Sequence, residues 1–177
     1  MDGVLADFDG EFTRITGRKW DHNEWSGLRS PKEEKWEIIS KHPYFFRDLP
    51  WMRGARSMVH FVAKTTDHTS YVPGIMSAAS NHIKASADQK RIWLNREVPI
   101  LDDSKHVHIV AHREEKAAFA RPGVILVDDH KLNIEDWIAA GGIGILFESA
   151  VQVIDELQTH LNAPEQQYLT ARFEAAI

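Results

Sequence analysis

The stretch Val124-Ile125-Leu126-Val127-Asp128-Asp129 decides how this chain folds. Four consecutive apolar residues rich in β-branching read as a strand covered on both faces, and the run ends in two carboxylates. Just beyond it, Asn133 is placed to cap a helix, with Asp136 at the third helical position, where the helix dipole favours an acid. Gly141-Gly142 stops that helix, and Ile143 to Phe147 supplies the next short apolar strand. Ser149 to Leu161 then reads as an amphipathic helix, with Val153, Ile154, Leu157 and Leu161 along one stripe. Strand, helix, strand, helix at this spacing predicts a parallel sheet with right-handed crossovers. The fold class is α/β.

Upstream, the pattern continues. Arg56 to Lys64 reads as a helix, followed by a polar loop through Ser70 and the apolar segment Tyr71-Val72-Pro73-Gly74-Ile75-Met76. Ala85 to Asn95 is helical, with Ile92, Trp93 and Leu94 on or near its buried face; His106 to Val110 is a strand and Arg113 to Ala120 a helix. Residues 11–56 have another texture, rich in Trp, Arg, Lys, Glu and His and broken around Gly17, Gly27, Pro31 and Pro43. No repeat or low-complexity tract interrupts the chain.

Composition narrows the function. The 177 residues can bury a sizeable core. Absence of cysteine excludes disulfides, a thiolate metal site and a cysteine nucleophile. A formal charge of −5 argues against a phosphate-backbone binder. No apolar run approaches the ~18 residues of a spanning helix, and the acidic start MDGVLADFDG lacks the features of a signal peptide. A cytoplasmic location is the expectation, although a secreted protein without cysteine fits only slightly less well.

In such a sheet, ligands bind beyond the carboxyl ends of the strands. Ser77-Ala78, Asp128-Asp129 and Asp2-Gly3 all follow or flank such ends, and Lys116 lies near the start of the helix before the aspartate pair. Acids, a hydroxyl and a lysine converging there suit magnesium and a phosphate. Each also has a plain reading. Paired aspartates often make a turn, Ser77 can be a cap, Lys116 a solvated helix lysine, and Asp2, Asp7 and Asp9 a frayed acidic terminus. His106, His108 and His112 could neighbour one another, but an exposed edge strand explains them better than a metal site does.

Taken in order, Met1-Asp2-Gly3-Val4-Leu5-Ala6-Asp7-Phe8, His42 to Pro50, Ile75-Met76-Ser77-Ala78, Lys90 to Leu94, Arg113-Glu114-Glu115-Lys116, Ile125 to Asp129, Asn133 to Trp137 and Gly141 to Phe147 resemble the haloacid dehalogenase superfamily. Within it, they resemble the 5′(3′)-deoxyribonucleotidase branch. The resemblance implies a Rossmann-like α/β core over 1–10 and 57–177, with a small helical cap over 11–56. It also implies a Mg2+-dependent phosphatase that dephosphorylates (deoxy)nucleoside monophosphates through an aspartyl-phosphate. Asp2 matches the acid/base, Lys116 the charge-neutralising lysine, Ser77 with Ala78 the phosphoryl-binding segment, and Phe8 an aromatic of the nucleobase pocket. Asp129, with Asp128 beside it, matches the acidic pair that binds magnesium, a site to which Asp2 also belongs. The implied partner is a small-molecule nucleoside monophosphate, with neither a nucleic-acid polymer nor a membrane; a homodimer stays open.

One departure stands out. The family motif is Asp-x-Asp-Gly, and Met1 occupies the x, so the nucleophilic aspartate falls ahead of Met1, as does the central apolar strand that leads into it. Three explanations stay open: Met1 is internal to a longer protein, the chain has been cut short, or a natural short form has lost catalysis. The alternatives to the nucleotidase reading are a non-catalytic nucleotide or phosphate binder and a phosphatase for another small phosphomonoester.

Overall fold

Two pairs of short parallel strands carry the architecture. In the computed structural model, β1 (Ile75–Ala78) pairs with β2 (Val107–Val110), and β3 (Ile125–Asp128) pairs with β4 (Ile143–Leu146). The registers set Ile75 against Val107 and Ile125 against Ile143, so Ser77 and Asp128 both lie near the carboxyl ends of their strands. The structure describes residues 1–17, 31–66, 71–99, 101 and 103–161.

The α-helices are α1 (Phe8–Thr16), α2 (Pro31–Ser40), α3 (Ala55–Thr66), α4 (Ser86–Glu97), the short α5 (Asp103–His106), α6 (Lys131–Ala139) and α7 over 150–161. Helices α4 and α5 lie between β1 and β2, a 3₁₀ helix between β2 and β3, and α6 between β3 and β4. Asp7 caps α1, its carboxylate accepting from Gly10 N at 2.8 Å. The main core joins Phe12, Ile39, Phe46, Trp93, Leu94, Ile145 and Val153, all buried. Full burial of such side chains is worth about 1.5–3 kcal/mol each. Val153 and Leu157 are the buried members of the predicted stripe on α7. A smaller cluster of Leu126, Ile134 and Trp137 seals α6 onto β3.

Four details depart from the sequence reading. Arg113–Phe119 winds as a 3₁₀ helix, with Ala120 N bonding three residues back to Ala117 O. The strand of residues 106–110 starts one residue later, His106 closing α5. Ile92 is 49% exposed, because the inward face of α4 runs through Ser86, Gln89, Lys90, Trp93 and Leu94. Asn133 does not cap α6; His130 stands at that position, and the Asn133 amide is buried inside the helix against Asp128.

Between the strand pairs lies a cavity of about 750 Å³. Its walls include Leu5, Ile75, Met76, Ile125, Val127 and Leu157. Among the described residues, β1 and β3 each pair with a strand on one side only. Met1 also lines it, and its buried amino nitrogen donates to the Met76 carbonyl at 3.4 Å.

Candidate active site

Asp2 is held in a tight turn in which Leu5 N and Ala6 N both donate to Met1 O, at 2.8 and 3.1 Å, while Gly3 N donates to Ala6 O at 2.9 Å. Gly3 has φ +72°, and a Cβ on it would fall 2.0 Å from Asp129 Oδ2. Only glycine lets this turn approach the end of β3 so closely. Asp2 and Asp129 are thereby neighbours, although 127 positions separate them in the chain.

Lys90, which the sequence reading quoted without assigning a role, ties the turn to β1. Its Nζ lies 2.7 Å from Asp2 Oδ2, donates to Ser77 Oγ at 3.1 Å and also donates to the Ala78 carbonyl. The lysine is 2% exposed. Ser77 is likewise buried, and accepting this bond leaves its hydroxyl hydrogen for another acceptor. Apolarity could not have found Lys90, but its position one turn before the buried Trp93 and Leu94 puts it on the inward face of α4.

Lys116 forms the second cationic arm. Its Nζ lies 2.7 Å from Asp128 Oδ2, and both side chains are buried. Asp128 Oδ1 accepts from His130 N at 2.9 Å and Asn133 Nδ2 at 2.7 Å, so protein donors engage both oxygens. Burial opposes the charge of Asp128, but Lys116, Asn133 and the His130 amide together hold its carboxyl below the ordinary range. Asp129 behaves oppositely. Its side chain keeps contact with solvent at the mouth of the site, yet crowding by the surrounding protein and then the Asp128 charge push its carboxyl up.

Whether magnesium fits turns on the oxygens left over. Asp2 Oδ1 is buried without a hydrogen-bond partner, an expensive state for a carboxylate oxygen. Together with Asp129, it offers the hard anionic ligands a magnesium ion takes, the ion keeping several waters or phosphate oxygens for the rest. Among the described residues, no cluster of three or more His, Asp or Glu side chains could hold a metal alone. The histidines of residues 106–112 do not form one either: His112 Nδ1 lies 3.4 Å from Asn81 Nδ2, and the His108 ring packs on Phe119.

Phe8 opens an aromatic group on the other side of Lys90. Its ring lies 5.1 Å from Phe45, 6.0 Å from Phe46 and 6.1 Å from Trp36, and Trp36 stacks on His82 at 5.0 Å. Lys90 Nζ sits 5.0 Å from the centre of the Phe46 ring. The structure therefore brings Asp2, Ser77, Ala78 and Lys90 into direct contact, joins Lys116 to Asp128, and links Phe8 to the first group through Phe46.

Paired lysines, a hydroxyl and acids at converging strand ends are what a phosphate site requires. A family model described as 5′ nucleotidase, deoxy (pyrimidine), cytosolic type C protein matches residues 1–161. The chain belongs to this family. It is a 5′-nucleotidase hydrolase of the haloacid dehalogenase type, and its family's substrate is a small-molecule nucleotide. A comparison with curated proteins returned no match. No helix among the described residues of this nucleotidase is long and apolar enough to cross a membrane.

Proposed function

We propose that this nucleotidase is a magnesium-dependent phosphatase preferring deoxynucleoside monophosphates, acting through an aspartyl-phosphate. Catalysis is conditional on a nucleophilic carboxylate placed ahead of Met1. The observation that carries the reading is Lys90, which holds the Asp2 carboxylate and the Ser77 hydroxyl at one point while Lys116 waits on Asp128.

The steps follow from those groups. Lys90, Lys116 and the Ser77 hydroxyl bind the phosphoryl oxygens, spreading the charge of the transition state. The nucleophilic carboxylate attacks phosphorus, the phosphorus–ester oxygen bond breaks, and protonated Asp2 gives its proton to the leaving sugar oxygen. Asp2 then takes a proton from water, whose oxygen attacks phosphorus, releasing phosphate and restoring the carboxylate. Asp129, with Asp2 beside it, would hold magnesium, which would supply charge neutralisation at the phosphoryl oxygens. Residues 11–56 are the proposed cap and 1–10 with 57–177 the proposed core, 18–30, 67–70, 100, 102 and 162–177 lying outside the described residues, with Phe8 against the base.

A second reading has its own support. Asp128 is fully engaged with Lys116, Asn133 and His130, and Asp2 is needed as the acid/base. The chain as it stands would then bind nucleotide without turning it over. Calorimetric titration with magnesium tests the site under either reading. Asp129→Asn is expected to lower magnesium affinity strongly and Asp128→Asn to lower it less, acting through Lys116. Unchanged affinity in Asp129→Asn would reduce the aspartate pair to a turn and defeat the proposal.

A further inference from the structure

Gln89, the residue before Lys90, is buried at 5% exposure, and its amide is spent on the backbone of another segment. Its Oε1 accepts from Phe46 N at 3.1 Å and Arg47 N at 3.3 Å, and its Nε2 donates to Pro43 O at 2.8 Å. Two further bonds from α4 fix the same segment: Trp93 Nε1 to Leu49 O at 2.7 Å and Arg96 Nη2 to Arg47 O at 3.0 Å. Trp93 holds Leu49 at the end of the segment and Arg96 holds the carbonyl of Arg47, whereas Gln89 holds the amide of Phe46 itself. Phe46 is 1% exposed, and its ring neighbours both Lys90 Nζ, 5.0 Å from its centre, and Phe8, 6.0 Å centre to centre.

We infer that Gln89 is a positioning residue that sets the spacing between the phosphate end and the aromatic end of the site, with the Phe46 ring as the spacer. This rests on the proposed reading, in which Lys90 takes phosphate and Phe8 faces the base. A ligand touching one end is indifferent to the spacing. A ligand spanning both is not, since binding that depends on two anchors falls steeply when one is displaced. Gln89 thus favours nucleoside monophosphates over shorter phosphomonoesters without touching either.

The test uses Gln89→Met, which keeps length but loses all three bonds, and Gln89→Glu, which keeps the two amide contacts. With Lys90 Nζ 5.0 Å from the Phe46 ring centre, the ring current is expected to displace the Lys90 ε-methylene proton resonance. That displacement is expected to shrink in Gln89→Met and persist in Gln89→Glu. With magnesium present, affinity of Gln89→Met for a deoxynucleoside monophosphate is expected to fall about tenfold, and for inorganic phosphate by less than about twofold. An unaltered Lys90 resonance, or equal losses for both ligands, overturns the inference. Should Gln89→Met fail to fold, Gln89→Asn, too short to reach both amides, carries the same comparison. If the unsubstituted protein binds neither ligand, the proposed function fails instead, and the Lys90 resonance still decides what Gln89 positions.

Discussion

At the scale of single residues, Lys116 serves two masters, and they can be separated. It pairs with Asp128 in the interior and is proposed to pair with phosphate when substrate arrives. Removing one member of a buried ion pair strands the other, at a cost of about 3–5 kcal/mol. Lys116→Met should therefore lower thermal stability markedly, although its aliphatic stem is kept, and adding Asp128→Asn should recover most of the loss. Phosphate affinity should drop at least about tenfold in both the single and the double variant, because the charge-assisted bond is gone in each. Ser77→Ala should cost less, about 1 kcal/mol of binding. Recovery of affinity along with stability in the double variant would make Lys116 purely structural. The sequence pointed to Asp2, Ser77 and Asp128 because each follows or flanks an apolar run, and to Lys116 because it lies near the start of the helix before the aspartate pair. Lys90 stayed silent, since a lysine on a helix advertises solvent until its inward neighbours are known.

The elements show why the rest was harder to read. α4 buries Ser86, Gln89 and Lys90 alongside Trp93 and Leu94, so three of the five residues on its inward face are polar and apolar periodicity points to Ile92 instead. Asn133 misleads in the same way: an amide that caps helices elsewhere is used here to hold Asp128. The strands gave clear signals, because apolar residues covered on both faces have few other places to go. The C-terminal end of α4 also offers a titration experiment. Glu97 accepts from Trp51 Nε1 at 2.6 Å and from Arg96 at 2.8 Å, and these bonds, the indole first, hold its carboxyl below the ordinary range. A carboxyl depressed in the folded state stabilises above its unfolded value and loses that contribution as pH falls through its folded one. Glu97→Gln should thus be less stable than the parent near neutrality, and the gap should close on acidification. A stability difference that does not change with pH would assign the effect to packing.

For the whole molecule, the cavity between the strand pairs is the dominant feature. Among the described residues, β1 and β3 each offer it an unpaired strand edge, its walls are largely apolar, and Met1 lines it, so an added extended segment can be tested there. Joining a short apolar stretch ending in Asp to Met1 should raise the melting temperature, by burying apolar surface and pairing backbone groups. It should also confer turnover of deoxynucleoside monophosphates, which the 177-residue chain should lack. The same stretch ending in Asn should stabilise equally but stay inactive. Stabilisation without turnover in the Asp version would favour the binding reading. Robust magnesium-dependent turnover by the 177-residue chain, free of contaminating phosphatase, would remove the need for a carboxylate ahead of Met1.

In a preparation of the 177-residue chain, concentration becomes a structural variable. Backbone amides and carbonyls along an open strand edge recruit whatever extended chain is at hand, and in a concentrated preparation that is another copy. Solubility should therefore be worst where the protein is most crowded, and should improve when the edges are paired, with no change to the surface charge. A light-scattering series over concentration, run with and without the added stretch, would read the same cavity as a colloidal property.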